Sequence, residues 1–309
     1  MTSVALTGAS GFVGRHVLDL LEQRGHRVRA LVRSPDQIPT SSRARPVIGR
    51  LDQPEALEAL VEGADCVVHL AGATGGIDYV DFARVNVDGT RLLLNACLQR
   101  NAPVRFIHLS SLAAREPGLS HYSASKRAGE DCVTASKLNW VVLRPPAVYG
   151  PDDPALAPLW QALARGWLIR TGPRQARFSL LHVDDLAAAI VALVDTPGAA
   201  QGQVLELHDG HSGGYGWDDL REIAASARGG PVRTLGIPPV VLKSLGLFNL
   251  SLARLTRRRP PPLVPGKVRE LVHHDWVCDN SALPGCEGWR PTMTLTSALA
   301  QLPGWRRTG

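Results

Sequence analysis

The opening stretch "SVALTGASGFVGRHVLDLLEQRG" constrains this chain more than any other. An apolar run from Val4 to Leu6 meets three glycines, Gly8, Gly11 and Gly14, spaced Gly-x-x-Gly-x-x-Gly. Val13, Val17, Leu20 and Leu21 then share one helical face, and Gly25 supplies a stop signal. Glycines are needed where the backbone turns tightly and where an anion must approach main-chain N–H groups without a Cβ in the way. The helix that follows points its unpaired N–H groups and partial positive charge at the same place. Strand, glycine turn and helix at the head of a chain predict a phosphate-binding βα unit, with a purely structural turn as the alternative.

The alternation continues. "HRVRALVR" reads as a strand, "PEALEALVEG" as a helix and "DCVVHLAG" as a strand apolar on both faces. "DFARVNVDGTRLLLNACLQRN" reads as one long helix, "VRFIHLSS" as a strand, "HYSASKRAGEDCVTAS" as a helix and "NWVVLRP" as a strand. Such alternation predicts an α/β fold, a doubly wound parallel sheet with helices on both faces. After Pro151 the pattern loosens. "LAPLWQALARG" predicts a helix, and "FSLLHVDDLAAAIVALVD" a strand entering a helix. Further helices are expected near 216–228, 239–256 and 294–302, broken by "PPV", "RRRPPPLVPG" and "LPGC". We therefore expect a sheet domain over 1–165, with 178–195 packing back on it, and a smaller, mainly helical C-terminal cap over 166–309.

Composition narrows the functional classes. A 309-residue chain with 44% hydrophobic and 20% charged residues can bury a sizeable core. The formal charge of +6 comes with only 5% aromatics and no basic run interleaved with stacking rings, so nucleic acid is not expected and anionic small molecules are. Cys66, Cys97, Cys132, Cys278 and Cys286 are odd in number and lack a Cys-x-x-Cys pair, which predicts free thiols in a reducing cytoplasm and no zinc site. No signal peptide precedes the first strand, and no apolar run reaches membrane-spanning length. His69, His108 and His182 lie in apolar runs and read as satisfied core histidines, so no metal is expected. Asp184 and Asp185 read as a helix cap and anchor.

The glycine turn predicts a dinucleotide, contacted by Gly8, Ser10, Gly11, Phe12, Val13 and Gly14. Chains that prefer NAD carry an acid at the end of the second strand for the ribose 2′-hydroxyl. Here that place holds Val32 and Arg33. An arginine can pair with a 2′-phosphate, so NADP is favoured over NAD; the alternative is a solvated arginine. Arg15 either adds to that field or faces water. Leu51 and Asp52 follow the third strand, where Asp52 either accepts from the adenine or caps the helix near Pro54. Leu70, Ala71 and Gly72 follow the fourth strand, where small residues let the cofactor pass.

Taken together, the glycine spacing, "HLAG", Asn86 in "VNVDGT", "LSSLAA", "YSASK" and "LRPPAVYGP" resemble the short-chain dehydrogenase/reductase superfamily, in its extended, epimerase/dehydratase-like branch. The resemblance covers about the first 195 residues and implies a Rossmann fold. Tyr122 and Lys126 stand at i and i+4, on one helical face. A nearby ammonium pulls a tyrosine down from its usual pKa of about 10, and a phenol so tuned can exchange a proton with a carbonyl/alcohol pair. The resemblance implies Tyr122 as acid/base and Lys126 as its modifier and a ribose ligand. It further implies Ser111 as hydroxyl donor to the substrate oxygen, with Ser110 as the fallback. Pro145 and Val148 are expected beside the nicotinamide, and Asn86 either ties strand ends together or serves the site.

Relatives that act on nucleotide sugars read "RPFNVYGP" where this chain has Pro146 and Ala147. Alanine cannot make the asparagine's hydrogen bond, which favours an apolar ketone or alcohol as the small-molecule substrate. The apolar "PPVVLKSLGLFNLSLARL" fits a greasy lid, or merely packs the cap, and the basic "RLTRRRPPPLVPGK" meets anions, a membrane surface or water. Two other readings stay open: a nucleotide-sugar epimerase/dehydratase using bound NAD, and a non-catalytic NAD(P)-binding structural or sensor protein. The resemblance also implies pairing of two copies as a homodimer.

Overall fold

The computed structural model describes residues 1–256, 263–279 and 289–305. Strand β1 (Ser3–Thr7) leads to α1 (Phe12–Gln23), β2 (Arg27–Val32), β3 (Arg45–Ile48), α2 (Pro54–Val61) and β4 (Cys66–His69). A long helical rod follows: α3 (Tyr79–Ala83), a π-helical stretch (Arg84–Gly89) and α4 (Thr90–Leu98). Then come β5 (Arg105–Leu109), α5 (His121–Thr134), β6 (Asn139–Arg144), β7 (Ala147–Tyr149), α6 (Ala157–Ala164), β8 (Trp167–Arg170), β9 (Arg177–Phe178) and β10 (Leu180–His182). The remainder comprises α7 (Val183–Asp195), β11 (Gln203–Glu206), β12 (Tyr215–Gly216), α8 (Trp217–Arg228), β13 (Arg233–Gly236), α9 (Pro239–Thr256), α10 (Pro265–Val272), β14 (Asp275–Trp276) and α11 (Leu295–Ala298).

The chain forms two compact units, Met1–Pro145 with Leu186–Glu206 and Asn280–Trp289, and Pro146–Asp185 with Leu207–Asp279 and Arg290–Gly309. The first unit holds a seven-stranded parallel sheet in the order β11-β6-β5-β4-β1-β2-β3. This is the doubly wound order 3-2-1-4-5-6 with one strand added at the β6 edge. Phe106, Val67, Leu57, Leu93 and Val133 are fully buried in its core, as continuous apolar strands require when helices cover both faces. Arg105 donates to the carbonyls of Thr196, at 2.7 Å, and Ala199, fastening the returning segment ahead of β11. Gly25 takes φ +78° one place past the C-cap of α1, and His26 N–H bonds back to Leu21 C=O at 3.0 Å.

The second unit is built from helices with three small sheets: β10 with β7, β12-β9-β14, and β13 with β8. Its core gathers Trp160, Leu163, Leu168, Leu220 and Leu302, with Tyr149 fully buried among them. Asp185 accepts from Thr292 N–H at 3.0 Å, Thr292 Oγ1 at 2.9 Å and Met293 N–H at 2.9 Å, all within this unit. His182 is buried, and its Nδ1 accepts from Asp184 N–H at 3.3 Å. Cys66, Cys97 and Cys278 are buried free thiols and Cys132 is half-buried; Cys286 lies outside the described residues. Burial pushes the Cys66 and Cys97 thiols up to about 12, which leaves them protonated and inert.

The helix expected over 81–101 is not one α-helix. Its π-helical stretch inserts an extra residue where Asn86 turns into the protein and Gly89 meets Leu51. Gly129 of α5 packs on that stretch so closely that an added Cβ would lie 2.3 Å from Asn86 O. A Gly129→Ala change gains about 1 kcal/mol of helix propensity but overpacks a backbone contact, typically at about 1–3 kcal/mol. The expected outcome is a lower melting temperature and a weakened Asn86 geometry, read by thermal unfolding and amide exchange of 84–90.

Candidate functional site

The first unit's expected site residues, apart from those in helices, all follow carboxyl ends of its parallel strands, where such sheets bind ligands. Gly8, Ser10 and Gly11 follow β1, and Phe12, Val13 and Gly14 form the first turn of α1. Gly8 sits at φ +77°, and a Cβ there would lie 2.7 Å from Ala71 N. A Cβ on Gly14 would lie 1.9 Å from Gly8 O. The turn is therefore closed to side chains on two sides. No side chain caps α1 and no acid sits in its first turn, so its N–H groups and dipole face outward unopposed. A cradle of bare backbone ahead of a positive helix end fits a pyrophosphate.

Arg33 directly follows β2 and is exposed; its N–H donates to Gln37 Oε1 at 2.9 Å, while its guanidinium meets no carboxylate among the described residues. Arg15 is exposed as well. Asp52 does not cap α2: the N-cap is Gln53, and Asp52 instead pairs with Arg50 at 3.1 Å in an exposed ion pair. Leu51, half-buried, packs against the core and Gly89. Leu70, Ala71 and Gly72 follow β4, and Pro145 follows β6. Val148 belongs to β7 of the second unit, beside Leu181 of β10.

Ser120 caps α5, its Oγ accepting from Ser123 N–H at 2.9 Å, so Tyr122 lies in the first turn and Lys126 one turn on. The Tyr122 ring is half-buried and meets Phe82 edge-on at 6.3 Å. Lys126 is buried at 5% exposure, and its Nζ donates to Leu109 O at 2.7 Å, at the carboxyl end of β5. A Cβ on Gly72 would stand 3.7 Å from that Nζ, so the ammonium lies between the ends of β4 and β5. Burial pulls Lys126 down to about 8, against the opposing pull of Glu130. His108, stacked on Phe106 and tilted against His69 with no hydrogen bond to its ring among the described residues, is not the satisfied histidine expected. Burial, with Lys126 adding to it, holds His108 well below its usual range and so neutral. His69 is satisfied, by Thr7 at 2.7 Å and Thr90 at 3.0 Å.

Ser111 caps the short turn after β5, its Oγ accepting from Ala113 N–H at 3.2 Å, which leaves the hydroxyl proton to give away. Ser110 is buried and donates to Glu130. Glu130 in turn takes Arg144 in a bidentate pair at 2.6 and 2.9 Å, and Arg144 reaches Glu206 at 3.9 Å. Asn86 does not tie strand ends. It accepts from Ala73 N–H at 2.8 Å and donates to Ala73 O at 3.1 Å and Ser125 Oγ at 2.8 Å, joining the loop after β4 to α5. Ser125, Glu130 and Arg144 escaped the sequence reading. Glu130, one helical turn beyond Lys126, was within reach of the same i, i+4 argument.

A parallel sheet of this order, with a side-chain-free phosphate cradle at β1 and a buried lysine at the β4–β5 ends, defines a dinucleotide-dependent oxidoreductase scaffold. Residues 4–207 match the sequence model of the NAD dependent epimerase/dehydratase family, and the chain belongs to that family as an NAD(P)-dependent oxidoreductase. It is 38% identical to ceramide reductase of Caulobacter vibrioides over 306 residues, 98% of this chain and 94% of that protein. It is 34% identical over 176 residues to the 4-hydroxy-2-methyl-3-oxo-4-farnesyl-3,4-dihydroquinoline-1-oxide ketoreductase of Stigmatella aurantiaca, 50% of this chain and 52% of that protein. Among solved structures, MoeE5 in complex with UDP-glucuronic acid and NAD shares the fold at TM-score 0.73 and 22% identity, over 99% of both chains.

The Lys126 shift has a stability consequence. Its folded pKa of about 8 lies below the free value of 10.5, so between these limits the unfolded chain binds more protons than the native one. Lys126 therefore contributes stability that is fully present above 10.5 and lost as pH falls through about 8. Urea unfolding of the ligand-free protein should show wild type gaining stability relative to Lys126→Met between about pH 8 and 10. A constant difference between the two would refute the burial cost.

Proposed function

We propose that this chain reduces a ketone on a long-chain, lipid-like substrate with NADPH, using Tyr122 as proton donor, Lys126 as its electrostatic partner and Ser111 as the hydroxyl that holds the carbonyl oxygen. The observation that carries this reading is the buried Lys126 ammonium, held by Leu109 O one helical turn past Tyr122. A cation dehydrated in that position favours proton loss from a neighbouring phenol far more than one in water. When bound, the reduced nicotinamide supplies hydride to the carbonyl carbon. The carbonyl oxygen accepts a hydrogen bond from Ser111 and takes its proton from Tyr122. Asn86, bonded to Ala73 and Ser125, acts as a positioning residue between the β4 loop and α5.

The first unit carries the dinucleotide and the second selects the substrate. Gly8, Ser10, Gly11, Phe12, Val13 and Gly14 hold the pyrophosphate, Leu51, Asp52, Leu70, Ala71 and Gly72 flank the nucleoside path, and Pro145 borders the ring. Arg33, with no acid beside it, holds a 2′-phosphate. The substrate class is supported by Ala147, which lacks the amide used for nucleotide sugars, and by the ceramide and farnesylated-quinoline names of two relatives. A keto-ceramide is accordingly the first substrate to try.

Tyr122→Phe should leave NADPH binding intact, read by fluorescence titration, and lower kcat on such a ketone by about 10²–10⁴-fold. Equal turnover by variant and wild type would end the acid/base assignment. Arg33→Ala should raise KM for NADPH by about 10–100-fold while leaving NADH unchanged, since a charge-assisted bond to phosphate contributes about 1.5–3 kcal/mol. If purified protein instead carries NAD that cycles on UDP-glucose without net consumption, the epimerase reading replaces this one.

A further inference from the structure

Helix α9 shows an apolar face that none of the described residues of the second unit covers. Leu242, Gly246 and Ala253 form its buried seam, Gly246 standing so close to α10 that a Cβ would lie 3.1 Å from Val268 Cγ2. On the other side Val241, Leu245, Phe248, Leu252 and Leu255 recur at i, i+4, i+7, i+11 and i+14, exposed from 43% at Leu252 to 82% at Leu255. Val240 and Leu247, also exposed, widen this row to about 160° of the helix circumference at ~100° per residue. Exposed apolar side chains scattered singly are ordinary, but a continuous row along 18 residues marks a surface that docks. The helix satisfies its own backbone and is not apolar and long enough to cross a membrane.

The charge around it selects the partner. Between Glu222 and Glu270 the sequence holds nine cations (Arg228, Arg233, Lys243, Arg254, Arg257, Arg258, Arg259, Lys267 and Arg269) and no carboxylate. That exceeds the +6 of the whole chain, so the remainder is net acidic and the positive field is concentrated on this stretch. Lys243 and Arg254 are exposed along one border of the apolar row. An apolar stripe edged by cations matches a surface that is greasy within and anionic at its rim. A polyanion without an apolar interior would leave the leucines wet.

We infer that α9 lies in the headgroup region of an anionic phospholipid bilayer, its apolar row sunk about 5–10 Å and its cations meeting lipid phosphates. The inference deepens the lipid-reductase reading, because a water-insoluble ketone would then be taken from the layer that holds it. The test is co-sedimentation of the full chain with phosphatidylcholine vesicles containing about 30% phosphatidylglycerol, and with phosphatidylcholine alone. We expect at least ~10-fold stronger binding to the anionic vesicles, abolished by ~1 M salt, which screens charges within about 3 Å. A Leu245→Glu/Phe248→Glu variant should bind at least ~10-fold less while keeping its melting temperature, and Lys243→Glu should lose only the anionic preference. Wild type that stays in the supernatant, or a double variant that sediments equally, overturns the inference. So does an apolar row that instead mediates dimerisation, seen as a concentration-dependent dimer lost in the double variant. Turnover of a short-chain, water-soluble ketone without vesicles tests the reductase reading separately. Its absence alongside vesicle binding would sink that reading and leave the docking surface standing.

Discussion

The polar interior of the first unit is arranged around one ammonium kept out of water. Lys126 is an expensive residue to bury, and nothing as simple as a single carboxylate neutralises it. Its Nζ takes a backbone carbonyl, Leu109 O, while the carboxylate four residues on is shared with Ser110 and Arg144. Glu130 is thus close enough to keep the lysine charged for part of the pH range, yet too occupied to form an ion pair with it. His108 and His69 beside it stay neutral chiefly because burial disfavours their charged form, with the Lys126 cation adding to it. Titrating at about 8, the lysine is still charged at neutral pH with little to compensate it, which the proposed role of Tyr122 requires.

Much of this architecture was legible in the sequence because it is local or periodic. The glycine turn could be read from spacing, since Gly8 and Gly14 are fixed by clashes that any side chain would create. The parallel sheet as far as β6 followed from alternation, though its seventh strand, β11, did not, and Tyr122 with Lys126 followed from a single helical turn. What stayed hidden depends on pairing distant in sequence. The π-helical stretch exists because Asn86 reaches Ala73, thirteen positions back, and Ser125, thirty-nine ahead. Periodicity over 81–101 carries no trace of that. Asp52 was read as a possible cap from its place before Pro54, but Arg50 lies two residues away and takes the carboxylate first.

The second unit was less readable for a different reason. Its helices α8 and α9 were visible as apolar periodicity, yet periodicity alone cannot say which apolar face is covered. In the parallel sheet the central apolar strands β1, β4 and β5 are buried by the crossover helices, so composition and burial agree. In α9 only a narrow seam is packed and the broad face is not, so the same composition has the opposite outcome. The charge distribution was the legible clue: one stretch of chain from which every acid is missing.

The π-helical stretch also places an unusual demand on the gene that encodes it. A segment of Arg84–Gly89 wound one residue looser than its neighbours is a lengthening that a single codon loss would erase. Ordinary winding would then resume through 84–89, and the local widening that turns Asn86 toward Ala73 would be lost. Substitutions away from Asn86 and Gly89 can be absorbed there gradually; a change in length cannot. Over evolutionary time this short stretch should hold its count of residues fixed, with Asn86 and Gly89 kept in place.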